Sequence, residues 1–434
     1  MPGAAILTLG CKVNQYESAF LAETLTRHGW QLVALNAQPD LVVVNTCTVT
    51  AAADRQARQY IRRLARRHPK TVVLVTGCYA QRAPEELAAL PGVRGVLGNR
   101  EKPRLLEILA ESRRSTAPVI QVGSMAEAET LEPMPITSFI GHTRAFVKIQ
   151  DGCQNYCSYC IIPHVRGPCR SLRREQIIDQ LRQLTSRGYR EIVLTGINLG
   201  KYGHDQSPGE SLAGLVQELA QAGLLGRYRL SSIEPQELTP ALLRQLAAWP
   251  QFCPHFHLPL QSGSAAILNS MRRPYGPEEF RELVNQIHQY FPQAAIGVDV
   301  LVGFPGETEL DLAHTRELID ALPISYLHVF PFSPRPGTPA ARLPQTVSGT
   351  EMKRRAQSLR ELGKQKKLAF YQQQVGQEFE VLIERCSSGP PDRMTGLSAN
   401  YLRLVLKDDG QGINRLVRAR LVQIVADQAV ALPV

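Results

Sequence analysis

The chain has 434 residues, 44% of them apolar, which supports a large buried core and, at roughly 150 residues per domain, about three domains. It has no run of about 18 apolar residues, and its opening MPGAAILTLG lacks a basic flank and a cleavage-like site, so the expectation is a cytoplasmic protein without a signal peptide or membrane span. A net charge of +10 suits a polyanionic partner such as RNA, although a well-solvated surface gives the same balance.

Three apolar, β-branched runs come first, AAILTL, LVVV and TVVLV, separated by helical stretches such as ESAFLAETLTRHG. This is a βαβ pattern and predicts a Rossmann-like parallel sheet over residues 1–110. A polar, Pro-containing stretch at 111–138 reads as a linker. Six strand-like runs then alternate with helical patterns: RAFVKIQ, EIVLTG, RYRLSSI, HFHLPL, AIGVDVLVG and SYLHVFPF. Six βα units across 139–369 fit either an open doubly wound sheet or a partial (β/α)6 TIM-like barrel, and both place their site at the carboxyl ends of the strands. From residue 370 to 434, EFEVLIE, LRLVLK and RLVQIV, broken by turn residues, predict a small all-β module. The chain is α/β throughout its first two domains.

Nine cysteines, an odd number with several in clusters, point to metal ligands or catalytic thiols rather than disulfides in a reducing compartment. Cys11, Cys47 and Cys78 each follow one of the three N-terminal apolar runs, in TLGCKVN, VNTCTVT and VTGCYAQ. Carboxyl ends of neighbouring parallel strands share one edge, so the three thiols are expected in one crevice. A lone cysteine at a strand end is more often a small buried hydrophobe, but three in register are not. The second triad is local: DGCQNYCSYCIIP carries Cys153, Cys157 and Cys160 at C-x3-C-x2-C spacing. Three thiolates ligate three irons of a 4Fe-4S cluster and leave the fourth iron open to a chelating ligand. Zinc would need a fourth ligand, and His164 is the nearest candidate.

C-x3-C-x2-C after a first strand, with Tyr159 before the last cysteine, resembles the radical S-adenosylmethionine (SAM) superfamily. In that superfamily the amino and carboxylate groups of SAM chelate the open iron. The ordered series LGCKVNQYES, VVNTCTVT, TGCYAQ, DGCQNYCSYCIIP, GINLGKYG, LSSIEP, HLPLQSGS, MRRPY and GFPGET resembles the methylthiotransferase family over almost the whole chain. The resemblance implies a radical SAM barrel, a second 4Fe-4S cluster on Cys11, Cys47 and Cys78, and a C-terminal RNA-binding TRAM module. It also implies transfer of a methylthio group to C2 of a tRNA adenosine. The CKVNQYES and NLGKYG forms are most similar to enzymes acting on N6-threonylcarbamoyladenosine at position 37, in the anticodon loop, with a flavodoxin- or ferredoxin-type reductant. Isopentenyladenosine, a ribosomal-protein aspartate and a non-catalytic iron-sulfur RNA-binding protein are the competing readings.

Within this resemblance Tyr159 lies against adenine, and Gly196 lets backbone approach the methionyl end of SAM. Glu234 and Gln261 end their strands and bond polar parts of cofactor or substrate. Gly303 ends a strand before a helix whose first amides could receive adenine or ribose oxygens, and the alternative for each of these glycines is a tight βα turn with no ligand. Arg273 is either a carboxylate contact or an ordinary basic residue of a surface helix. Arg55, Arg58, Arg62, Arg63, Arg66, Arg67 and Lys70 are predicted on one helical face, with Tyr60, Ile61 and Leu64 inward. KRRAQSLRELGKQKK is a second basic segment, while the tail from 371 has seven basic and seven acidic residues. Cys169, Cys253 and Cys386 match no ligand spacing and read as packed or free thiols.

Overall fold

The computed structural model describes residues 1–139, 141–206, 208–386 and 393–434. Its first sheet has six parallel strands: β1 (Gly3–Thr8), β2 (Gln31–Leu32), β3 (Leu41–Thr46), β4 (Val72–Gly77), β5 (Val93–Leu97) and β6 (Val119–Gln121), in the order β2-β1-β3-β4-β5-β6. The central strand β3 is buried at every position, as a parallel strand covered on both faces must be. Its residues divide by the period of two. Val42 and Val44 join Val73, Val75 and residues Ala57, Ile61 and Leu64 of α2 (Ala51–Arg67) on one face. Leu41 and Val43 join Leu21 and Leu25 of α1 (Lys12–Arg27) on the other. Two short helices, α3 (Cys78–Arg82) and α4 (Pro84–Ala88), follow β4.

The expected boundary at residue 110 is corrected. Helix α5 (Leu105–Arg114) runs through it, and β6 lies inside the expected linker as an edge strand paired to β5. These residues read as linker because the helix ends on exposed arginines and only Val119 of β6 is buried. The stretch after β6 is packed rather than free: Met125, Met134 and Ile136 are buried, and Tyr16 Oη donates to the Met134 carbonyl at 2.6 Å.

The second domain holds β7 (Arg144–Lys148), β10 (Glu191–Thr195), β11 (Arg227–Leu230), β12 (His255–Gln261), β13 (Ala295–Val302) and β14 (Tyr326–Pro331). A short antiparallel pair, β8 (Gln150–Asp151) and β9 (Arg170–Ser171), frames the loop of the second triad. The parallel sheets β11-β10-β7 and β12-β13-β14 are joined by a bridge between Tyr228 and Phe252 and by Ile233 N donating to His257 O at 3.1 Å. The result is a six-stranded open barrel, the second of the two architectures the pattern allows. α6 (Ile162–Arg166) follows Cys160 after the single residue Ile161.

The tail forms a closed barrel, β15-β16-β17-β19-β18, from β15 (Glu378–Cys386), β16 (Arg393–Ser398), β17 (Arg403–Lys407), β18 (Leu416–Val425) and β19 (Gln428–Pro433), consistent with a TRAM module. Helix Gly349–Gln373 crosses the expected boundary at 370. The module is docked against the starts of the SAM-domain strands. Glu191 holds the guanidiniums of Arg227 and Arg229 at 2.7 and 2.8 Å, and these donate to the carbonyls of Leu397 (2.6 Å) and Ala399 (2.9 Å). Tyr401 stacks on His255 with ring centroids 3.9 Å apart. Cys253 is buried and Cys169 half-buried, both as free thiols, whereas the Cys386 side chain lies outside the described residues. Among the described residues no helix is long and apolar enough to cross a membrane.

Candidate functional site

Strands β1, β3 and β4 are adjacent, so their carboxyl ends present Cys11, Cys47 and Cys78 along one edge. Cys11 caps α1, Cys47 follows β3 at once, and Cys78 opens α3. Two glycines allow the approach. Gly77 has φ +95°, and a Cβ there would lie 2.3 Å from the Thr46 carbonyl, so β4 ends against β3 only with glycine at this position. Gly10 has φ +112°, and its added Cβ would meet Cys47 Cβ at 2.9 Å. Cys11 is exposed at the rim, while burial takes the Cys47 thiol up to about 12 and the neighbouring Cys78 raises it further.

The second triad is held by its own loop. Gly152, at φ +81°, passes so close to Pro168 that a Cβ would lie 1.8 Å from the Pro168 carbonyl. Cys153 N donates to Gly167 O and Cys160 N to Cys157 O, each at 3.0 Å. Burial pushes Cys153 up to about 12 and also raises Cys157 and Cys160. Arg273 Nη1 donates to Cys157 Sγ at 3.3 Å and pairs with Glu234. Asn198 Nδ2 lies 3.7 Å from Cys153 Sγ.

Neither triad brings its three sulfurs within 4.8 Å of one another. Thiolates on one zinc, at about 2.3 Å from the metal, would be closer than that; thiolates on separate irons of a cluster are not so constrained. His164 is exposed to solvent and offers no fourth zinc ligand. Each set offers three free thiols, the donor chemistry that a 4Fe-4S cluster with one open iron would take.

The two triads meet at a seam between domains. Cys78 is buried with Ile161 and Val165, which flank and belong to α6, one residue past Cys160. Beside the seam opens a cavity of about 220 Å³ lined by Thr50, three residues beyond Cys47, and by Tyr159, Cys160, Gln261, Asp299 and Leu301.

Comparison with known proteins supplies the family. Residues 4–98 match a family described as uncharacterized protein family UPF0004, and residues 147–319 match the Radical SAM superfamily. The chain is 40% identical to the threonylcarbamoyladenosine tRNA methylthiotransferase MtaB of Aquifex aeolicus (strain VF5), covering 87% of this chain and 92% of that protein. It is 37% identical to the MtaB of Bacillus subtilis (strain 168), over 98% of this chain and 94% of the relative. A tRNA-2-methylthio-N(6)-dimethylallyladenosine synthase of Moorella thermoacetica (strain ATCC 39073 / JCM 9320) is 34% identical, over 96% of this chain and 95% of the relative. The chain belongs to the radical SAM methylthiotransferase family. A solved radical SAM methyltransferase, TsrM from Kitasatospora setae, shares the fold with a TM-score of 0.58 at 18% identity, covering 78% of this chain and 77% of that one.

For a methylthiotransferase the remaining candidates are distributed as follows. Tyr159 and Gln261 line the cavity, and Tyr159 meets the edge of Phe304 at 6.5 Å between ring centroids. Gly196 packs on Gln150, since a Cβ would lie 3.0 Å from Gln150 Cβ; Gln150 in turn donates to the Gly152 carbonyl at 2.8 Å and steadies the cysteine loop. The Gly303 amide is already taken by Glu307 Oε2 at 2.8 Å, and the next helix starts only at Glu309, so no free helical amide stands at Gly303. Arg273 is buried under Cys157, which corrects the surface-helix alternative. Glu234 is its counter-ion; burial raises the Glu234 carboxyl, and Arg273 partly offsets that rise.

Sequence reading missed Asp299, which faces the cavity and accepts from His257 Nε2 at 2.9 Å with His328 Nδ1 at 3.3 Å. Burial raises its carboxyl, but the two imidazoles bring it down to about 2. It also missed the buried cluster of Asn14, Glu17, Lys102, Lys148, Asp151 and Arg166 at the seam. The signal was present in KVNQYES, where Asn14 and Glu17 share the core-facing side of α1 with Val13 and Leu21.

The basic segments differ from expectation. Arg55, Arg62, Arg63, Arg66 and Arg67 are exposed on α2, but Arg58 bonds Tyr79 and Glu86, Tyr60 is half-exposed, and Lys70 lies beyond the helix. Segment 353–367 is partly neutralised: of its seven basic residues, Arg354 and Arg355 pair with Glu351, Glu309 and Glu307, and Lys364 pairs with Glu361.

Proposed function

We propose that the chain methylthiolates C2 of N6-threonylcarbamoyladenosine at position 37 of tRNA, with one 4Fe-4S cluster on Cys153, Cys157 and Cys160 and a second on Cys11, Cys47 and Cys78. The observation that supports this reading is the seam: Cys78 packs against Ile161 and Val165, and Cys160 lines a cavity together with Val49 and Thr50, two and three residues beyond Cys47. Replacing a ring C–H by sulfur has no adequate acid-base route through side chains. The bound clusters and SAM supply a carbon-centred radical and an activated sulfur.

The chain's own residues orient and exclude. Tyr159, Leu301 and Phe332 give the cavity an apolar wall that favours a base over bulk water, and Gln261 and Asp299 supply acceptors at its polar side. Arg273 and Asn198 direct N–H groups at Cys157 and Cys153 and fix the loop that carries them. The exposed arginines of α2 start one turn from Thr50 at the cavity and offer a track for the anticodon-stem phosphates. A flavodoxin- or ferredoxin-type protein is the reductant in this reading.

Mass spectrometry of tRNA nucleosides from a strain lacking the protein tests it. Loss of the 2-methylthio form of threonylcarbamoyladenosine is expected. Loss of only the dimethylallyl (isopentenyl) counterpart, or only of a ribosomal-protein modification, would overturn the substrate assignment.

A further inference from the structure

The buried cluster at the seam is out of charge balance. Arg166 is fully buried, and its Nη1 donates to Glu17 Oε1 at 2.5 Å and to Asp151 Oδ2 at 3.2 Å. Lys102 and Lys148 reach the same Glu17 carboxylate at 3.0 and 3.1 Å, and Lys148 also reaches Asp151 at 3.2 Å. Three cations thus share two carboxylates. Arg170, also buried, donates to backbone carbonyls of Pro168 and Arg166 and adds positive charge, with no carboxylate in salt-bridge range among the described residues. An excess positive charge held away from water is costly unless something anionic sits beside it. Beside these two carboxylates, the cluster borders on Cys78, whose Sγ accepts from Arg166 Nε at 3.3 Å. Arg166 Nη2 also donates to Asn14 Oδ1 at 2.7 Å, and that oxygen lies 3.6 Å from Cys11 Sγ. The guanidinium therefore contacts one of the three N-terminal thiols directly and shares the Asn14 oxygen with a second.

The second triad lacks this excess, because its own arginine, Arg273, is neutralised by Glu234. Three thiolates on an oxidised 4Fe-4S core carry one net negative charge, which the seam cluster balances. One-electron reduction adds a second negative charge at the same place. Nearby positive charge and N–H···S hydrogen bonds favour the reduced form.

We propose that Arg166 is a positioning residue that raises the reduction potential of the N-terminal cluster by supplying buried positive charge and an N–H donor to Cys78. The proposal rests on the assignment of a cluster to Cys11, Cys47 and Cys78. It also makes the SAM domain, through the helix that follows Cys160, a determinant of that cluster's potential.

The test uses the full chain with Cys153, Cys157 and Cys160 replaced by Ala, reconstituted anaerobically and titrated with dithionite under electron paramagnetic resonance. Arg166→Met in this background should make reduction roughly tenfold to a hundredfold less favourable, about 59 mV more negative per tenfold for one electron. Glu17→Gln removes a negative charge and should move the potential the other way. Arg166→Lys keeps the charge without the fork and should fall between Met and the parent. A merely structural role cannot shift the potential in opposite directions, so two variants that leave it unmoved, or move it the same way, overturn the inference. Should Arg166→Met fail to hold iron, Glu17→Gln alone decides by the sign of its shift. A parent that binds no cluster of about four irons overturns the second-cluster assignment instead, which is a distinct result.

Discussion

Arg166 Nε and Cys78 Sγ meet at 3.3 Å across 88 residues of sequence, tying the helix that follows one cysteine triad to a member of the other. Each triad nevertheless has its own scaffold: the N-terminal one rests on adjacent parallel strands, and the second on a loop framed by β8 and β9.

Cys47→Ala should separate the two. Cys47 belongs only to the N-terminal sheet, so the variant should keep roughly half the iron of the parent and still release 5′-deoxyadenosine from SAM. It should form no methylthiolated adenosine. Cys157→Ala should lose both activities. Iron analysis, SAM-cleavage assays and nucleoside mass spectrometry check this, and complete methylthiolation by Cys47→Ala would rule out a two-cluster mechanism.

Gly77→Ala should damage the same site through the backbone. The residue needs a left-handed φ, and its Cβ would strike the Thr46 carbonyl one residue before Cys47. A cost of roughly 2–4 kcal/mol is expected, with loss of the N-terminal cluster. Gly223, at φ +62° with open space around it, is the control: Gly223→Ala should cost only about 1 kcal/mol and leave iron content intact. Urea unfolding and iron analysis distinguish them.

Legibility in the sequence followed the reach of the interactions. Strands β1, β3 and β4 were visible because both faces are buried and their composition is continuously apolar. β6 was not, because an edge strand of three residues with one buried side chain has no periodicity to read. The cysteines were visible because ligand spacing and strand-end position repeat. Arg166, Asp299 and Glu191 were not, since each acquires its role from partners between 15 and 149 residues away in the chain. The helix at 353–367 misled in the opposite sense: its cations look free in sequence, but carboxylates of a neighbouring helix and turn neutralise several of them.

The α2 arginines should dominate the salt dependence of tRNA binding. Arg62, Arg63, Arg66 and Arg67 are exposed, with no carboxylate in salt-bridge range among the described residues, while the TRAM-like barrel carries balanced charge. Replacing these four with Ala should reduce the slope of log K against log salt by about 2 to 3 and weaken binding more than tenfold at low salt. SAM cleavage without tRNA should be unchanged. Filter binding across a salt series measures the slope, and a slope equal to that of the parent would place the phosphate track elsewhere.

Glu191 should set an acid limit on the join between the barrel and the C-terminal module. Burial raises its carboxyl, but Arg229 and Arg227 overcome that and bring it to about 2. A folded value below the unfolded one means stability that is complete above the ordinary glutamate pKa of about 4.5 and lost as pH falls toward 2. The difference corresponds to a contribution on the order of 3 kcal/mol at neutral pH. Glu191→Gln leaves Arg227 and Arg229 buried without their anion, so it should be less stable at pH 7 by a similar amount. As pH falls from about 5 toward 3, the parent should lose this advantage while the variant lacks the transition, and the two unfolding curves should converge. Urea unfolding of both proteins at pH 7, 5 and 4 measures the gap. A gap that stays constant with pH would show that the carboxylate charge is not what holds the two arginines.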